Sequence, residues 1–313
     1  MKAQGSGPGN ESNESNRWVA EWDNGDWLAA TQSGLWLGRP GAMWRGSGPY
    51  EHSLNSLTRF ADGIVAGADG GLWLITRGGP RWRQLHDEVL TLVEAVSMTS
   101  DELQSLVVAT GYGVHLPTVT EQDVLCWSNC SEALSAPSAR YSTALHLLDS
   151  ETWLVGTETG LFVCAEHGHR WSATSIAQVA VRALLSTDEG VWAGTDNGDI
   201  WFAADGLAWQ HHSRLATAES ALNESVLALA TNHHGTLLAG TTGGIVVSDG
   251  DRWRSTGPTL PMAAVAVDTR SPSTWVAGAS PGGLWWTEDG DAWQQAAEAP
   301  KSIRHLLPPD QVQ

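Results

Sequence analysis

Apolar and polar positions along the chain fall into short alternating runs. These are broken every few residues by Gly, Asp, Asn and Ser, the pattern of half-buried strands joined by tight turns. Four runs make one unit. A short apolar run opens it, as at 181–185 or 226–230, and a polar hairpin such as Thr187-Asp188-Glu189-Gly190 follows. The second run ends in a phrase of the type Ala-Gly-Thr-x-x-Gly-Leu-Trp, read clearly at Ala239-Gly240-Thr241-Thr242-Gly243-Gly244-Ile245. The third run starts at its second glycine, and an Asp/Gly-rich turn then leads to a fourth run that holds a closing tryptophan.

The closing residues are Trp44, Trp82, Trp127, Trp171, Trp209, Trp253 and Trp293, spaced by 38, 45, 44, 38, 44 and 40 residues. That is the length of a four-stranded propeller blade, a unit that cannot bury its own apolar faces and must stack on its neighbours. The spacing predicts an all-β fold, a seven-bladed β-propeller of four-stranded antiparallel blades over residues 17–308, with a disordered tail at 1–16 and a short tail at 309–313. Two segments compete to be the inner strand of blade 1: Trp18-Val19-Ala20-Glu21-Trp22 and Ser302-Ile303-Arg304-His305-Leu306-Leu307. The second is favoured, because a ring left open exposes unpaired strand edges.

Composition narrows the functions. Lys and Arg total 17 against 35 Asp and Glu, a formal net charge of −18. Such a field repels phosphate backbones, so no nucleic-acid partner is expected, and a basic protein partner would be attracted. No apolar run has transmembrane length, so no membrane insertion is expected. The start of the chain reads Gly/Ser/Asn/Glu-rich without the apolar core of a secretory signal, and three cysteines do not make a disulfide framework. A cytoplasmic protein without cofactors is the expectation. Of 18 tryptophans, seven hold the closing position, four the third strand and four the second, leaving Trp18, Trp22 and Trp286.

The phrases Thr287-Glu288-Asp289-Gly290-Asp291-Ala292-Trp293 and Ser248-Asp249-Gly250-Asp251-Arg252-Trp253 resemble the Asp-box turn of BNR or sialidase-like propellers. The Trp-x-Gly-Thr-x-x-Gly-Leu core is similar to the short propeller repeats of two-component regulator sensors. The resemblance spans about 17–308 and implies architecture: in such families the Asp-box turn is structural and lies away from the active site. Asp289 stands four residues before its Trp, one fewer than the usual pattern, and blades 1–4 lack the Asp. The arginine triad, Tyr–Glu pair and Asp of a sialidase cannot be carried onto this chain, whose tyrosines are Tyr50, Tyr112 and Tyr141. Photosystem II assembly factors are propellers of similar repeats too, but the Arg-dense stretch that would support that likeness is missing.

Several constellations invite chemistry. Gly278-Ala279-Ser280-Pro281-Gly282 has the G-x-S-x-G spacing of a nucleophile elbow, yet that motif needs a helix after the serine, and here a strand is predicted. Cys164, His167 and His169, around Glu166, have metal-ligand spacing without an evident fourth ligand, so a solvated hairpin is the simpler reading. His211-His212 and His233-His234 are predicted on opposite faces of the ring. Cys126 and Cys130 flank one short segment as idle thiols or a strained local pair.

Binding residues are then sought where the repeats differ. The connections from the fourth strand of one blade to the first of the next vary most, and variable loops on a rigid scaffold are where binding sites usually lie. They contribute Tyr50, His52, Arg140, Tyr141, His212 and Arg214 as candidates, with a short helix predicted at 215–222. The mouth of the central channel contributes the polar members of the first strands: Arg59, Glu94, His146, Arg182 and Arg304. The function expected from this is a non-enzymatic protein–protein interaction scaffold, alone or as a subunit of a larger complex; the alternative is a glycan-binding or glycoside-hydrolase-like propeller.

Overall fold

The computed structural model describes residues 22–309 except 62, 77–81, 86, 120–124, 135, 216–223, 233, 250–251, 269 and 272. The expected helix at 215–222, the tail at 1–16 and most of the Trp18–Trp22 segment therefore lie outside the described residues, save Leu215 and Trp22. Seven four-stranded antiparallel sheets form the blades of a β-propeller. In each blade we name the strands A to D from the channel outward. The A strands are Ile303–Leu307, Leu54–Phe60, Val93–Met98, Ser142–Leu147, Val181–Thr187, Val226–Thr231 and Met262–Val267 for blades 1 to 7. Each touches the next around the ring, and Ile303–Leu307 touches both Met262–Val267 and Leu54–Phe60.

Blade 1 thus combines strands from distant parts of the chain. Ile303–Leu307 pairs antiparallel with Trp27–Thr31, which continues through Gly34–Gly38 to Arg45–Gly48. The competing segment supplies no strand among its described residues; Trp22 is instead buried between blades 1 and 2.

The recurring phrase now has a physical reading, residue by residue. Its first glycine lies on strand B, where the next blade's A strand presses in. A Cβ on Gly194 would stand 2.3 Å from Val226, one on Gly240 2.5 Å from the Met262 carbonyl, and one on Gly278 2.3 Å from Ile303. The threonine that follows is buried and locks the B–C turn: Thr31, Thr110, Thr157 and Thr241 each donate through Oγ1 to the carbonyl of the second glycine, at 2.8–3.0 Å. That glycine takes a positive φ, 147° at Gly160 and 141° at Gly244, which a side chain would strain. The closing tryptophan tethers neighbouring blades. Its indole N–H donates to the outer strand of the preceding blade or to the residue that ends it, Trp82 to Ser47 O, Trp171 to Cys130 O, Trp253 to Ser213 Oγ and Trp293 to Thr256 Oγ1, at 2.8–3.0 Å. The C–D turns of blades 5 and 7 are held by an aspartate. Asp205 and Asp289 each accept two backbone N–H groups, which also keep both carboxyls below their ordinary range.

Candidate binding face and channel mouth

Antiparallel order places the D–A connections and B–C turns on one face of the ring and the A–B and C–D turns on the other. At the first face, every A strand carries a β-bulge at its second residue. The pairing with strand B (for blade 1, Trp27–Thr31) skips one position in all seven blades, leaving Arg304, Asn55, Glu94, Thr143, Arg182, Leu227 and Ala263 unpaired. A bulge bends the strand and re-aims the extra side chain. All seven line a cavity of about 400 Å³ at the channel mouth. The ring is uneven: blades 1 to 5 contribute polar side chains, blades 6 and 7 Leu227 and Ala263.

The polar arc is internally bonded. Arg304 donates to Asn55 Oδ1, and the Asn55 amide nitrogen donates to Asp69 Oδ1 at 2.9 Å and to Val93 O at 3.1 Å. Tyr141 donates to Glu94 Oε1 at 3.2 Å. Burial pushes the Glu94 carboxyl up, opposed by that hydrogen bond and by the charge of Arg304. Burial, then the Glu94 charge, raises the Tyr141 phenol. Arg182 makes a bidentate pair with Asp196, Nε to Oδ1 at 2.6 Å and Nη2 to Oδ2 at 3.0 Å, and reaches Glu158 at 3.3 Å. Thr143 donates to Val181 O at 2.6 Å.

Of the five channel residues expected from sequence, Glu94, Arg182 and Arg304 line the mouth, and Arg59 and His146 do not. The reason is register. The first three occupy the bulged second position, whereas His146 is fifth and Arg59 sixth in their strands. Arg59 instead donates to Pro308 O at 2.6 Å, tying blade 2 to the chain leaving blade 1, and burial lowers the His146 imidazole. Tyr141, expected in a variable loop, reaches the mouth, where it meets Glu94. Asn55, Thr143, Leu227 and Ala263 were missed; aligning the second residues of the apolar runs finds them all. His305 follows as the third residue of its strand, where the other six blades carry Ser or Ala. Its Nδ1 is buried without a hydrogen-bond partner among the described residues, and burial pushes its pKa down to about 4.

The loop candidates divide. Tyr50 is exposed on the D–A face, its hydroxyl donating to Gly46 O at 2.8 Å, and His52 packs on Trp73 with ring centroids 4.6 Å apart. Arg140 ends the short helix Pro137–Arg140 and turns back to the Leu134 and Glu132 carbonyls, so it shapes its loop. His212 and Arg214 lie on strand Gln210–Arg214 at the outer rim. His212 sits edge-on to Trp192 with centroids 4.9 Å apart, and Arg214 pairs with Asp199 at 3.1 Å. His212 stands mid-strand, whereas Arg214 ends the strand on the D–A side, opposite Asp199 at the start of strand C.

The Cys164, His167 and His169 set does not converge. Cys164 is buried beside Cys130, whose thiol contact and the surrounding burial push the Cys164 thiol far up. His167 meets Glu151 at 3.5 Å in an exposed turn. Among the described residues no three His, Cys, Asp or Glu side chains gather as metal ligands do. Ser280 of the G-x-S-x-G phrase sits in the B–C turn of blade 7, 2.6 Å from Ser302 Oγ, with a strand on either side.

The same face carries an exposed apolar sector. Tyr50, Val89, Leu92 and Tyr112 stand out from blades 1 to 3, with Tyr112 62% exposed. Leu92 is held between neighbouring B–C turns, its N–H donating to Asp69 O and its carbonyl accepting from Gly111 N, both at 3.0 Å. Exposed acids, Glu51, Asp69 and Glu88, border the sector. No helix among the described residues is long and apolar enough to cross a membrane.

No family model matches the chain, and no curated protein does. Solved structures do. The extracellular domain of a B. thetaiotaomicron protein assigned as a hybrid two component system is similar over 94% of this chain and 48% of its own, with 14% identity and a TM-score of 0.62. This chain therefore spans about half the length of that relative. A chain of a mitotic checkpoint complex is similar over 89% of this chain and 93% of its own, with 10% identity and a TM-score of 0.58. An ancestral GH74 enzyme matches 77% of this chain and 38% of its own, with 17% identity and a TM-score of 0.60. At these identities the likeness establishes the fold: a seven-bladed β-propeller of four-stranded antiparallel blades.

Proposed function

We propose that this propeller is a protein-interaction scaffold whose D–A face docks a partner protein over blades 1 to 3. One observation carries the reading: Tyr50, Val89, Leu92 and Tyr112 are exposed together on adjoining blades of that face. On the opposite face the exposed large apolar residues among those described, Met43, Val119 and Leu207, are scattered over blades 1, 3 and 5. Aromatic anchors within a polar rim are what a protein interface uses. The acidic border and the net charge of −18 favour a partner segment with an apolar anchor flanked by Lys or Arg. The presence of a similar propeller in a mitotic checkpoint complex supports the same reading. Glycoside hydrolysis ordinarily uses two carboxyl groups, and Glu94 is the one carboxylate among the described residues lining the channel cavity, so the GH74 likeness lends its alternative less support.

The test compares two double variants in affinity purification from the native host. Leu92→Glu with Tyr112→Glu is expected to lose the co-purifying protein at an unchanged melting temperature. Met43→Glu with Leu207→Glu is expected to keep it. Loss only with the second pair would overturn the proposal.

A further inference from the structure

We infer that the channel mouth binds a small amphipathic monocarboxylate, its head on Arg304 and its apolar body over Leu227 and Ala263. The two guanidinium groups of the bulge ring differ in what they already hold. Arg182 is neutralised by Asp196 and Glu158. Arg304 forms no ion pair among the described residues; its hydrogen bond there goes to the neutral Asn55 amide, which Asp69 and Val93 hold in place. A half-buried guanidinium carries five donors in a planar fork suited to a carboxylate, and one neutral acceptor leaves most of that capacity unused.

Ring order supplies the rest. Ala263 of blade 7 is next to Arg304, and Leu227 of blade 6 is next to Ala263, so an apolar wall begins where the cation stands. Below it, the fourth residues of the A strands, such as Leu229, Val265 and Leu306, close the apolar side of the cavity. At about 400 Å³ the space sits near the small end of ligand sites. Glu94, across the mouth, sets the charge limit. Its carboxyl group adds negative charge at the mouth, which disfavours a phosphate dianion more than a monocarboxylate.

Calorimetric titration of the full chain with hexanoate, hexanamide, hexylamine and inorganic phosphate tests this. Hexanoate is expected to bind and raise the melting temperature; the other three are expected to bind at least ~10-fold more weakly, following one lost charge-assisted hydrogen bond. Arg304→Gln should remove the preference for hexanoate over hexanamide. Ala263→Leu, which fills the wall and leaves Arg304 in place, should abolish hexanoate binding without lowering the melting temperature. Equal affinity for hexanoate and hexanamide, undiminished binding by Ala263→Leu, or no binding at millimolar hexanoate would each overturn the proposal. None of these outcomes bears on the partner protein, whose sector does not include Arg304, Leu227 or Ala263.

Discussion

The outer rim and the channel mouth are built on one seven-fold repeat and use it in opposite ways. At the rim, one position in every blade is tryptophan, and in blades 2, 4, 6 and 7 its indole reaches the preceding blade's outer strand or the residue that ends it. At the mouth, one position in every blade is bulged, yet it holds Arg, Asn, Glu, Thr, Arg, Leu and Ala in turn. Backbone geometry is shared in both places. Packing constrains the side chain at the rim, because each ring fills a wedge between blades; at the mouth the side chain lines a cavity, and its partners differ from blade to blade, Asn55 for Arg304, Val181 O for Thr143 and Asp196 for Arg182. Identity at equivalent positions therefore marks the scaffold, and divergence marks where selection for binding could act.

Three measurements can break or sharpen this contrast. The largest effect is expected at the rim. Trp82 is 8% exposed and bonded to Ser47, so Trp82→Ala should cost about 3–5 kcal/mol in chemical denaturation. A loss below about 1 kcal/mol would show that the ladder does not hold the blades.

Next is the one place where the mouth breaks the small-residue rule of its third strand position. The pKa of His305, about 4, lies below the ordinary histidine value of about 6.5. Between those values the unfolded chain binds a proton that the folded chain does not, so stability rises with pH across that window. It is fully present above pH ~6.5 and falls by at most about 3 kcal/mol as the pH drops towards 4. His305→Ala, which restores the sister-blade residue, should flatten this part of the stability profile. An unchanged slope would mean that the imidazole is hydrated in the folded state.

The smallest effect is expected at the apolar arc of the mouth. Ala263→Ser should change stability by less than about 0.5 kcal/mol, since the half-buried bulged side chain lines the cavity and the added hydroxyl faces it. A larger cost would place that residue in the scaffold.

Most of the architecture was legible in the sequence because each blade repeats the same solutions. Gly194 and Gly240 mark close approach, Thr157 and Thr241 lock turns, and the tryptophans count blades. Ring closure was legible from Ile303 to Leu307, which reads like Val181 to Leu185. The mouth was half legible. Glu94, Arg182 and Arg304 stood out as charges in apolar strands, but simple alternation cannot reveal a bulge, so Arg59 and His146 looked equivalent to them. Arg140 and Arg214 looked like interface anchors because their partners, two carbonyls of one loop and Asp199, are brought near only by the folded loop and strand pairing.

Blade 1 has a consequence in time. Its strands Trp27–Thr31, Gly34–Gly38 and Arg45–Gly48 are synthesised early, while their fourth member, Ile303–Leu307, comes more than two hundred residues later. At ordinary elongation rates of about 5–20 residues per second, that edge waits on the order of tens of seconds for its partner. Six blades can stack on one another meanwhile, but the channel has no complete wall until Arg304 and His305 arrive with the last strand. A nascent chain stalled before residue 303 would thus display the rim without the mouth, and an open strand edge beside it.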